Sequence, residues 1–171
     1  MNLRNILIGA VAISALATAA SAQITATGTA TTDAKIIQPI AISSSGTLNF
    51  GSITRPSAAS VVKVTTANVR SVVSGTATLA AGGSAVPTFT VSGEGASQYG
   101  ITLTPFTLAG PAGSTAITVT PVASIVGNGL LSGTAATVGT QAFTVGGDLA
   151  LAAEQALGAY TGTLSVTVAY N

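Results

Sequence analysis

The acids of the chain beyond its first residues are Asp33, Glu94, Asp148 and Glu154, and the sequence contains no histidine and no cysteine. Without histidine there is no Ser-His-Asp triad and no imidazole base, and without either residue the usual zinc and thiolate sites are absent. Carboxylates alone suit glycoside hydrolysis, which needs two of them facing each other across a sugar. Here Glu94 lies between Gly93 and Gly95, and Asp148 follows Gly146-Gly147, settings in which an acid reads as a solvated turn residue. The glycine-rich stretches also lack the Lys-Ser/Thr ending of a phosphate loop. The chain therefore reads as a non-enzyme, with no catalytic, cofactor-binding or metal-binding residue and no cofactor.

A basic start at Arg4, a mostly apolar run over residues 6–20 and the small-x-small sequence Ala20-Ser21-Ala22 lay out a secretory signal peptide over residues 1–22. The apolar run is shorter than the ~20 residues of a membrane-spanning helix. Residues 23–171 then form a single domain. Its bases (Lys35, Arg55, Lys63, Arg70) balance its acids, and they form none of the clusters that nucleic acid requires. With no cysteine, export is not used to staple the fold. Only 5% of residues are charged, so the outer faces are covered mainly by the hydroxyls of Ser and Thr, which pack against copies of themselves more readily than charged faces do.

Positioning depends on strands. Over residues 160–171 the even positions Tyr160, Gly162, Leu164, Val166, Val168 and Tyr170 are apolar or glycine, and the odd ones are polar or small. That period of two places one apolar face on a half-buried β-strand, the last in the sequence, with a flank that needs a partner. Residues 24–31 alternate too, with Ile24, Ala26, Gly28 and Ala30 opposite threonines. Between them the pattern predicts strands over 34–42, 48–51, 61–64, 70–73, 76–79 and 117–125, with Pro39 and Pro121 at edges or interruptions. Turns are expected at 43–46 and a loop at 127–129. A hairpin is expected between 86–91 and 99–103, and a tight one between 141–145 and 149–152 around Gly146-Gly147-Asp148, with one or two helical turns over 149–157 as the alternative. Roughly eight to ten short strands and no long helix indicate an all-β antiparallel sandwich.

Gly158, Tyr160, Leu164, Val166, Val168 and Tyr170 resemble the C-terminal signature of fimbrial subunits assembled by the chaperone-usher route in Gram-negative bacteria. With Pro39-Ile40, Leu48-Asn49-Phe50-Gly51, Gly162-Thr163 and 166–171, the chain also resembles a secreted bacterial family known only as domain of unknown function 4402. The fimbrial resemblance implies an immunoglobulin-like sandwich that lacks its last strand, whereas a self-completing sandwich is the competing reading. Gly158, Tyr160, Leu164, Val166, Val168 and Tyr170 would then form the acceptor strand and the chaperone contact. Residues 23–31, through Ile24, Ala26, Gly28 and Ala30, would form the donor strand. The implied partners are copies of the chain or related subunits, a periplasmic chaperone and an outer-membrane usher. The implied route runs through the inner membrane and periplasm to the cell surface or the extracellular space.

Other readings stay open. Residues 24–30 can pair within their own domain, giving a self-contained secreted binding or adhesion domain for a glycan or surface protein. Its contacts would come from the loops at 93–97 or 127–129, with Tyr99 the one aromatic near them for stacking. An eight-stranded outer-membrane barrel fits less well, because spanning strands need ~10 residues each and aromatic girdles. Intact-mass measurement of exported protein is expected to give a chain beginning at Gln23; retention of Met1 would refute the signal peptide.

Overall fold

The computed structural model describes residues 25–171, and every regular element among them is a β-strand. The expected signal peptide and Ile24 lie outside that range. Residues 25–35 belong to one compact unit, and Ile36–Asn171 form the other. In the first unit, residues 25–31 form no strand and are exposed, so the ladder expected there is not formed. Threonine, alanine and glycine offer little apolar area to reward it.

The second unit runs through β1 (Ala41–Ser45), β2 (Ser60–Val64), β3 (Arg70–Ser74), β4 (Thr88–Glu94), β5 (Gln98–Leu103), β6 (Phe106–Leu108), β7 (Ile117–Ala123), β8 (Asn128–Leu130), β9 (Val138–Leu151) and β10 (Val166–Tyr170). All ladders are antiparallel, in two sheets as a β-sandwich requires. The larger is ordered β1-β4-β9-β2-β3, with β7 also on β9 and β6 on β7, and the smaller is β10-β5-β8.

The larger sheet is organised by β9. Its first half pairs with β4, from Glu94↔Val138 to Thr88↔Thr144. Its second half pairs with β2, from Val64↔Gly147 to Ser60↔Leu151, and with β7, from Ala123↔Val145 to Thr118↔Ala150. Thr144 exchanges hydrogen bonds with Ser124, whereas Val145 donates its N–H to Pro87 O at 3.2 Å. Successive residues point to opposite edges, so β4 and β7 flank β9 on opposite sides. The same alternation points the nitrogen of Pro121 away from β9, past the end of β6, which pairs only with residues 117–119. No ladder bond is lost there, as expected for an edge proline.

Odd residues of β9 face inward and join two apolar clusters. Phe143 and Val145 pack with Phe89, Val91, Tyr99 and Leu131, the rings of Phe89 and Phe143 stacked at 5.6 Å. Leu149 and Leu151 pack with Phe50, Val62, Val64, Ala77, Ile117 and Val119.

Several local expectations are corrected. Gly146-Gly147-Asp148 is not a turn, because β9 passes straight through it. A Cβ on Gly146 would lie 2.3 Å from Val64 O, so glycine is required where the chain leaving β2 crosses the strand. The stretches 86–91 and 99–103 do not form a hairpin, since β4 and β5 belong to different sheets and the turn over 94–97 carries the chain across. Residues 43–45 extend β1 and only Gly46, at φ +79°, ends it. Residues 128–130 form β8, and 149–157 holds the end of β9 and turns. The strands expected at 48–51 and 76–79 shrink to single bridges, Asn49↔Ala85 and Ile53↔Leu79. Gly51 at φ +69° and the buried Pro56 interrupt longer pairing.

Gly146→Val is expected to cost about 2–3 kcal/mol by overpacking, read by denaturant unfolding, with Ala142→Val on the exposed part of the same strand face as the near-neutral control.

Candidate functional site: an open strand edge and its cleft

Three of the four side-chain carboxylates are engaged by neighbouring groups. Glu94 is buried, contrary to the solvated-turn reading, and accepts the N–H groups of Gln38 at 3.2 Å and Ala136 at 2.8 Å. Asp148 sits mid-strand, 3.5 Å from Lys63, its cross-strand partner. Glu154 pairs with Arg55 at 3.0 Å. Asp33 is exposed among residues 25–35.

The acceptor residues come together on one ribbon. β10 pairs with β5 from Val166↔Leu103 to Tyr170↔Tyr99, and upstream Thr161 bridges Ala109 in both directions at 2.7 and 2.9 Å. The ribbon over 160–170 therefore follows residues 99–109 from one sheet to the other. Between the bridge and β10 the register shifts by one residue.

Asn171 donates its N–H to Gln98 O, so Ala169 and Thr167 also turn their main-chain groups toward β5. Those of Val166, Val168 and Tyr170 turn the other way, where among the described residues no strand pairs with β10. The inward side chains report the same vacancy. Tyr160, Leu164, Val166, Val168 and Tyr170 are each only half-buried, whereas Ser60, Val62 and Val64 of β2, with a strand on either side, are buried.

Beside the upstream half of the ribbon lies a cleft of about 750 Å³. Residues 46–56 and 155–164 line it, together with apolar side chains that include Phe89, Phe106, Leu108, Ile117, Leu149 and Leu151. The 46–56 stretch is held by Arg70, whose guanidinium donates to Phe50 O, Ser52 O and Ala80 O at 2.8–3.2 Å. The other stretch is held by Gln155, which sequence reasoning missed. Its side-chain amide is buried and donates to Thr115 O at 2.7 Å and to the Tyr160 hydroxyl at 2.9 Å, and that hydroxyl donates to Ala156 O. Nothing in a lone glutamine among alanines signals this tie. Gly158, at φ +141°, lies against Pro111, where a Cβ would come within 2.4 Å of the ring. The donor positions Ala26, Gly28 and Ala30 are exposed and outside any strand.

Tyr99 is not at the surface. It is completely buried, its hydroxyl donating to Gln141 Oε1 at 3.0 Å, an oxygen that also accepts Leu130 N–H at 2.8 Å. The loops at 93–97 and 127–129 therefore lose the aromatic that a stacked sugar would use.

A protein-family model described as Domain of unknown function (DUF4402) matches residues 40–170. No curated protein matches the chain, and no solved structure does.

Burial raises the Tyr99 phenol above its ordinary value of 10.0. The folded state then favours the neutral phenol, so stability is fully present below about pH 10 and falls as pH rises beyond it. Unfolding titrations from about pH 8 to about pH 11 are expected to show this fall, and Tyr99→Phe to flatten it at a cost of about 1 kcal/mol at neutral pH.

Proposed function

The chain belongs to the family described as Domain of unknown function (DUF4402), and since that description assigns no activity we propose from the geometry that it is a non-enzymatic secreted structural protein, a fimbrial or surface-fibre subunit that assembles by donor-strand addition. In this reading the fold is immunoglobulin-like with one strand position vacant. The leading segment of one copy, residues 23–31, lies along residues 160–170 of the next, turning Ile24, Ala26, Gly28 and Ala30 toward the cleft. Main-chain pairing supplies affinity and the alternate side chains supply register. A periplasmic chaperone covers the same edge during export, and an outer-membrane usher receives the subunit.

The observation that carries the reading is an unpaired strand edge over residues 166–170 that continues, along the same ribbon, a cleft with mixed polar and apolar lining beside residues 160–164. A sheet edge of this kind is a template for another strand, and stable monomers usually blunt it with charge, proline or a covering loop. Residues 166–170 carry neither charge nor proline. The exposed, unladdered residues 25–31 offer the complementary strand. Ala26 and Ala30 bury little area at ~25 cal/mol per Å², so most of the gain comes from the backbone.

Unheated mature protein is expected to run as a ladder on a denaturing gel, and deletion of residues 23–31 to collapse the ladder to monomer without loss of the folded domain. A protein that is monomeric with and without those residues overturns the proposal.

A further inference from the structure

The end of β10 away from the cleft carries a second construction that strand addition does not by itself require. The Tyr170 hydroxyl accepts the Glu94 N–H at 2.6 Å and donates to Gln38 O at 2.8 Å. The Glu94 carboxylate accepts the Gln38 N–H with one oxygen and the Ala136 N–H with the other. Both main-chain groups of Gln38 are thus held by side chains from two different strands, one in each sheet. Gly93 makes room for this, since a Cβ there would lie 2.1 Å from the Tyr170 hydroxyl.

Gln38 is where the N-terminal arm joins the domain, three residues before β1 begins. We propose that Tyr170 and Glu94 clamp the root of the arm to the end of the acceptor edge, so that pairing along β10 and ordering of Gln38 are a single coupled event. The inference rests on the assembly reading above and adds a positioning role to Tyr170 and Glu94. A strand seated against the free main-chain groups of Val166, Val168 and Tyr170 immobilises Tyr170, and an immobilised hydroxyl holds Gln38 more firmly. By reciprocity, an arm held taut at Gln38 steadies the edge that receives the next copy. The two ends of one subunit then communicate through a single hydroxyl group. Tyr170→Phe keeps the ring and its packing while removing both hydroxyl bonds.

The test is residue-resolved hydrogen exchange on the full mature chain, fractionated by size into monomer and multimer. In the wild type, assembly is expected to slow the amides of Val166, Val168 and Tyr170 and to slow Gln38 by about tenfold as well. In multimers of Tyr170→Phe the edge amides are expected to slow while Gln38 does not respond; Glu94→Gln, which keeps the side-chain shape, is expected to weaken the Gln38 response in part. Edge amides that slow in wild-type multimers with Gln38 unchanged overturn the clamp and leave the assembly reading intact. A Gln38 response that survives Tyr170→Phe also overturns it. Absence of any multimer, or of slowing along β10, overturns both.

Discussion

The architecture depends on the uninterrupted course of Val138–Leu151. That strand serves β4 with its first half and both β2 and β7 with its second, so a break at Gly146-Gly147 would separate the two apolar clusters. Continuity there requires the chain leaving β2 to cross at a distance that excludes any side chain. A pair of adjacent glycines, ordinarily a weakness in a strand, is here the condition for close backbone approach.

From that axis the asymmetry of the sandwich follows. The cluster around Leu149 and Leu151 is covered largely by the bridged stretches near Asn49↔Ala85 and Ile53↔Leu79, not by a full sheet. The smaller sheet has three strands and ends on β10. The uncovered space between this irregular cover and residues 155–164 is the cleft, which lies upstream of the edge strand on the same ribbon.

Strict alternation marked β7 and β10 in the sequence, yet residues 25–31 alternate as strictly and form no strand. β7 falls within the expected 117–125 and β10 within the expected 160–171; Leu164, Val166, Val168 and Tyr170 pack on one cluster, whereas Tyr160 packs on the other. Pairing was less legible than existence, because alternation says which face of a strand is apolar and nothing about its neighbour. For that reason 86–91 and 99–103 looked like a hairpin although they belong to different sheets. Glycines misled where their role was tertiary: Gly146 and Gly147 carry the same composition as a turn, and only the crossing chain distinguishes the cases. Glu94 misled similarly, since a carboxylate between glycines gives no hint that two backbone N–H groups will converge on it. Gln155 had no pattern at all, and its effect exists only once Thr115 and Tyr160 are brought to it.

Arg70 gives the cleft a property of its own. Its guanidinium grips three carbonyl oxygens and no carboxylate, so the shape of the 46–56 rim rests on short, directional contacts with neutral groups. Mobile ions screen attraction between separated charges over a Debye length of roughly 8 Å at physiological strength, and they intervene little in a direct donor–acceptor contact. The Lys63–Asp148 pair, with side chains 41% and 35% exposed, is open to that screening. A receptacle braced in this way keeps its outline in dilute and briny surroundings alike.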